Sequence, residues 1–226
     1  PPGGEPKEIR RRRQQNEPAM GNWSELHWRY YLWSYYRHVE MVDGEIGRIL
    51  EALEGSGHGR DTVVLFTADH GEGMAHHQMV RKHSPYDESS KVPLLVSWPG
   101  YFPENRRDTT TLASGADIVP TLCDVAGIPA PPNMRGRSLR PILEGKSKDT
   151  REFLVVEIPP DVGRMVRTPQ FKYATFAGDT LELFFDMQSD PGETRNLAAD
   201  PRYAGRLEEH RQLLLEWEQR LDVSAG

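Results

Sequence analysis

Residues 61–72 read DTVVLFTADHGE. The first seven, Asp61 to Thr67, form a short β-branched apolar run, the pattern of a strand buried on both faces. The composition then turns polar and glycine-bearing, so the chain is expected to leave the sheet at Ala68. In open α/β sheets ligands bind beyond the carboxyl ends of the strands, and Asp69 and His70 stand at such an end. One carboxylate oxygen and one imidazole nitrogen suit a divalent cation. A loop-capping Asp beside a surface His is the competing reading of this pair taken alone. Gly71 and Gly73 are expected to let the backbone turn away steeply.

Val92 to Trp98 is a second strand-like run, separated from the first by a polar loop without periodicity. Upstream, Trp23, Leu26, Tyr30, Trp33, Val39, Val42, Ile46, Ile49, Leu50 and Leu53 recur at spacings that predict an amphipathic helix ending at Gly55. Its aromatic residues are expected to serve core and subunit packing rather than to stack on sugars or bases. The glycine-rich Gly55 to Gly59 follows a helix and precedes a strand, the reverse of the order a phosphate cradle needs, and reads as a turn. Downstream, Ala116 to Ala126 is helical by pattern, with Pro120 tolerable near the first turn and Gly127 as the stop. Helix, strand, loop, strand and helix in that order predict an α/β domain with a largely parallel sheet.

After Gly145 the runs EFLVVEI, RMVRT, FKYATF and LELFFDM predict a small antiparallel sheet. Tyr203 to Leu221 closes the pattern as a helix whose stripe is Leu207, Leu213, Leu214, Trp217 and Leu221. Pro1 to Gly21, with the basic run Arg10 to Arg13, reads as a loop facing water. The expected organisation is a loop or linker over 1–22, an α/β part over 23–145 and a C-terminal subdomain over 146–226.

The chain has 226 residues, 37% hydrophobic and 27% charged, enough to bury a core. A net charge of −6 offers no general attraction for nucleic acid or acidic membranes, so neither partner is expected and any bound anion must be held locally. The apolar runs are too short to cross a bilayer. The single cysteine, Cys123, excludes an internal disulfide and a Cys-rich zinc site. No nucleophile elbow, Walker loop or H-E-x-x-H pattern is present. The opening Pro1-Pro2-Gly3-Gly4, without methionine or leader, reads as a cut from a longer chain.

Beyond the Asp-His pair, His76, His77, Lys82 and His83 crowd one short loop of a protein that is acidic overall. Such a cluster repels itself unless an anion is present, which points to an anion site; a solvated basic loop is the alternative. The whole run Thr67 to Leu95, TADHGEGMAHHQMVRKHSPYDESSKVPLL, resembles the sulfatase-family stretch in which a strand ends in Asp-His or Asp-Asn with Gly. That family follows with a His and a Lys, then Tyr-acidic-Glu-Ser leading into Val-Pro and a strand. Here His77, Lys82, Tyr86 to Ser89 and Lys91-Val92-Pro93 continue the match. It extends through Asp117 to Leu122, Ala126-Gly127-Ile128, Gly136 to Leu139, Leu181 to Phe184 and Asp190 to Leu197.

The resemblance implies part of an alkaline-phosphatase-like sheet sandwiched by helices, followed by a small antiparallel subdomain with a terminal helix. It further implies sulfate-ester hydrolysis of a sulfated small molecule or sugar, in which a formylglycine hydrate attacks sulfur while a divalent metal, expected to be Ca2+, holds the group. On this basis Asp69 and His70 are metal ligands and Lys82 binds a sulfate oxygen and neutralises the leaving oxygen. His77 matches a histidine near the substrate pocket, and His76 stands where the family commonly has an acidic residue. A metal and a lysine aimed at oxygens that repel the nucleophile lower the barrier by preorganised charge.

The maturation motif Cys/Ser-x-Pro-x-Arg does not occur around Cys123, Ser56 or Ser97, and the consecutive aspartates of the family's first strand are also absent. The resemblance therefore implies that the N-terminal half of the catalytic domain is a partner outside this polypeptide, and self-association into a homo-oligomer is a further expectation. Two other readings stand beside it. One is a phosphonate monoester or phosphodiester hydrolase with the same Asp-His pair and lysine; the other is a non-catalytic binding or assembly module.

Overall fold

The computed structural model describes residues 4–148, 151–158 and 162–223; Pro1 to Gly3, read above as the start of a loop, lie outside them. The elements in chain order are α1 (Lys7–Met20), α2 (Glu25–Gly55), β1 (Val64–Thr67), α3 (Asp87–Ser90), β2 (Leu94–Ser97), α4 (Ile118–Ala126), α5 (Arg140–Leu143), β3 (Leu154–Ile158), β4 (Gly163–Arg167), β5 (Phe171–Phe176), β6 (Leu183–Asp186) and α6 (Ala204–Val223).

Strands β3 to β6 form one antiparallel meander in sequence order, as their short strand-like runs separated by turn residues predicted. Successive residues point to opposite faces, and both faces are covered. On one face Met165, Ala174, Phe176, Leu183 and Phe185 pack with Ile9 of α1 and with Met79 and Tyr86 of the loop after β1. On the other, Val166, Phe171, Tyr173 and Phe184 pack with Leu207 and Leu214 of α6, joined by Leu213 and Trp217 of the expected stripe. Each large side chain so buried contributes about 1.5–3 kcal/mol. The loop beyond β1 is thereby pinned to the C-terminal sheet.

Three expectations are corrected. Residues 7–20 are helical, not a loop. Among its described side chains the helix buries Ile9 and, at its end, Met20, and it is laced by charge pairs, Glu8 with Arg11 and Arg12 at 2.7 Å each, so no apolar period announces it. Secondly, β1 and β2 pair antiparallel, with Val64 opposite Ser97 and Thr67 opposite Leu94. A parallel pair needs a crossover that returns the chain to the strand's start, whereas the intervening segment leaves and re-enters at the same end and holds only the single-turn α3 among its α-helices. Thirdly, the apolar stripe of α2 is not core: none of its residues is buried, and Leu26 is 75% and Ile49 68% exposed.

The segment after β2 is tied by one buried carboxylate. Asp117 accepts from Ser114 N at 2.8 Å, Arg137 N at 2.9 Å and Arg151 Nη2 at 2.6 Å. Helix α4 stops at Gly127 in the left-handed conformation, as its sequence predicted, and Cys123 lies half-buried within it.

Candidate active site

The loop between β1 and β2 turns through residues that rarely adopt positive φ: Met74, Ala75, His77, Gln78, Arg81 and His83. Gly71 and Gly73 have another role than turning. Gly71 N donates to Ser89 O at 2.9 Å, and a Cβ on Gly71 would collide with the Glu88 carbonyl. Gly73 N donates to Arg81 O at 2.8 Å, and its Cβ would meet Met79 O at 2.8 Å. Both glycines permit close backbone approach, which folds the loop onto itself. Glu72 secures it further, accepting from Tyr31 Oη at 2.8 Å and from Arg81 N.

Asp69, His70 and Lys82 meet at this loop. His70 Nδ1 lies 2.8 Å from Gly71 O. A carbonyl only accepts, so Nδ1 carries a proton, and in that tautomer the lone pair is at Nε2. That lone pair faces Lys82 Nζ at 2.6 Å and Asp69 Oδ2 at 3.4 Å. Asp69 Oδ1 accepts from the His70 amide at 2.9 Å, which fixes the carboxylate, while the side chain stays 85% exposed. The Lys82 ammonium takes that lone pair here, so a cation held by Asp69 and His70 would have to displace it from Nε2. The pair fits part of a divalent-cation shell. It is not a complete one: calcium takes six to eight oxygens, and no group of three or more His, Cys, Asp or Glu suited to a metal occurs among the described residues.

His77 belongs to the neighbouring Tyr86–Glu88 pair. Its ring stacks on Tyr86 at 3.7 Å between centroids and 9° between planes, and Nε2 lies 3.9 Å from Glu88 Oε2. Burial lowers its pKa, against the opposing pull of Glu88. Arg13 Nε donates to the His77 carbonyl at 3.0 Å, so α1 also touches the site. His76 pairs with the other Glu88 oxygen at 3.1 Å. One internal carboxylate thus stands beside two members of the cluster. Lys82 and His83 are exposed beside the Asp-His pair.

Sequence reasoning missed the support beneath this loop. Lys172 of β5, 0% exposed, donates to Pro85 O at 2.9 Å and Asp87 Oδ1 at 2.5 Å and lies 2.7 Å from Glu193 Oε1. The Asp87 amide donates to Glu193 Oε2 at 2.7 Å. The signal was a lysine between Phe171 and Tyr173 within a strand-like run, with a glutamate already noted within Asp190 to Leu197 as a possible partner. Buried cations need paired carboxylates.

The chain matches two family models: "Sulfatase" over residues 5–128, and "N-sulphoglucosamine sulphohydrolase, C-terminal" over residues 75–220. Among curated proteins it is 40% identical over 202 residues to a Delta 4,5-hexuronate-2-O-sulfatase of Bacteroides thetaiotaomicron, covering 85% of this chain and 42% of that one. Among solved structures it is similar to a 2-O GAG sulfatase, with a TM-score of 0.84 and 38% identity over 93% of this chain and 46% of the other. A phosphonate monoester hydrolase of Agrobacterium radiobacter gives a TM-score of 0.80 at 31% identity, over 89% and 44% of the two chains. The chain thus spans less than half the length of these relatives. With two family models together spanning nearly all of it, the chain belongs to the sulfatase family of the alkaline-phosphatase superfamily.

Proposed function

We propose that this chain supplies the C-terminal part of a sulfuric ester hydrolase acting on a sulfated sugar, with residues 23–145 carrying the site and 146–226 supporting it. The observation that carries the reading is the meeting of Asp69, His70 and Lys82 at one loop, where a bound cation would take the His70 lone pair and free Lys82 for the anion. Asp69 and His70 would hold a divalent cation, for which Ca2+ is the proposal because the sulfatase resemblance implies it. Bound there, the cation would supply Lewis-acid charge for the ester oxygens. Lys82, an exposed point charge beside the pair, would bind a sulfate oxygen and offset negative charge on the leaving oxygen. His77 would line the substrate side, oriented by Tyr86.

These 226 residues contain no Cys/Ser-x-Pro-x-Arg motif, so the reading requires formylglycine from a segment outside them. That segment is the partner proposed here. The sugar substrate rests on the hexuronate sulfatase likeness. The likeness to a phosphonate monoester hydrolase keeps one second reading, since the same cation and lysine suit a phosphonate. A panel of aryl sulfate, sulfated uronide and phosphonate monoester, assayed with the chain joined to such a segment, separates them. Sulfate-ester turnover at least tenfold above phosphonate turnover is expected, and the reverse order would favour the second reading.

A further inference from the structure

The charged groups buried beneath the site take no part in the chemistry proposed above. Lys172 is wholly enclosed and is held by two distant segments: it donates to Pro85 O and Asp87 Oδ1 of the site loop, and it pairs by charge with Glu193 Oε1 of the turn after β6. Glu193 closes the circuit by accepting the Asp87 amide. Between the two gripped residues, Pro85 and Asp87, stands Tyr86. The residue is 2% exposed, and its ring packs against Phe185 at 6.2 Å and carries the His77 imidazole at 3.7 Å. We infer that Lys172 and Glu193 are positioning residues for His77: they clamp the backbone on both sides of Tyr86 and so set the plane on which the imidazole lies.

The inference rests on the proposed role of His77 for its catalytic consequence but not for its geometry. The hydrophobic core packs the Tyr86 ring, but the backbone that carries it is positioned by directional bonds. Two backbone contacts from one ammonium and one carboxylate fix both its position and its tilt. A residue held by 3.7 Å stacking follows any shift of its support, and misplacement by about 1 Å costs up to about a hundredfold in rate.

The test is the chemical shift of the His77 ring protons in labelled protein without substrate, since the stacked Tyr86 face displaces them upfield. Tyr86→Leu should abolish that displacement. Lys172→Met should reduce it, and so should Glu193→Leu, which removes the acceptor of the Asp87 amide while leaving Lys172 its Asp87 partner. Glu193→Leu decides the matter if Lys172→Met does not fold. His210 lies on the opposite face of the sheet with its ring 5.7 Å from Phe171, and serves as the reference. Its signals should stay in place, because a general loosening would move both histidines. Folded variants in which His77 keeps its wild-type shifts, or in which His210 moves equally, would overturn the inference. So would an unshifted His77 in Tyr86→Leu. In the hydrolysing assembly, Lys172→Met should lower kcat about tenfold to a hundredfold with little change in KM. Failure to find sulfate-ester hydrolysis would count against the proposed function and leave the NMR result standing.

Discussion

His70 is held as a lone-pair donor because its Nδ1 proton is committed to Gly71 O at 2.8 Å, and Asp69 is oriented by the amide that follows it. Replacing Asp69 with Ala should therefore cost at least about a hundredfold in divalent-cation affinity, as removing a ligand must exceed the 10–100-fold lost with outer partners. Titration calorimetry of the assembled enzyme with Ca2+ checks it, and wild-type affinity would remove Asp69 from the shell. Lys82→Ala should lower sulfate-ester kcat by roughly two to three decades with the fold intact. Glu193 carries a pH signature of its own. Burial pushes it up to about 7, from 4.5, against the pull of Lys172 and with Asp87 adding to the rise. A raised carboxyl contributes stability that is full below the unfolded value and is lost as pH rises through the folded one. Glu193→Gln removes that loss, so the wild-type melting temperature should fall relative to the variant between about pH 4.5 and 7, with Lys172, Asp87 and Arg167 the charges that share the site. Asp69, His70 and Lys82 were legible as a group because a strand end, a metal-suited pair and a cationic loop coincide within a short stretch. Lys172 was not, since a lysine in a strand reads as a surface residue until the fold closes over it.

At the scale of elements, the antiparallel meander and α6 were readable from short strand-like runs between turn residues and from a helical stripe. The direction of β2 was not, because an apolar run carries no sign of orientation; that depends on where the loop re-enters the sheet. Helix α1 escaped notice because charge pairs and the buried Ile9 and Met20 hold it, a pattern without apolar repetition. The loop that presents the site depends on two close approaches of backbone to backbone. Gly71→Ala drives a Cβ into the Glu88 carbonyl, at a cost of about 3 kcal/mol or more. A Tm lower by roughly 5–10 °C is expected for a chain of this size. Gly44→Ala in α2, where nothing lies within 4 Å of the added atom, should instead stabilise by about 0.5–1 kcal/mol. Equal melting temperatures for the two variants would show that the loop does not need its glycine.

For the molecule as a whole, the fully covered C-terminal sheet contrasts with the open apolar surface on α2, β1 and β2, where Trp33, Phe66 and Leu95 are exposed. A surface of this kind marks an interaction face. The isolated chain should associate with itself at micromolar concentration, and Leu26→Glu with Ile49→Glu should shift sedimentation toward the monomer. If Asp69 and His70 hold the cation, Lys82 binds the anion and the nucleophile comes from elsewhere, activity requires both parts together. The decisive measurement is aryl sulfate hydrolysis with Ca2+ present, for the chain alone and after mixing with a separately produced formylglycine-bearing segment. No turnover by the chain alone and clear turnover after mixing, abolished by Lys82→Ala, is the predicted result; robust turnover by these 226 residues on their own would contradict it.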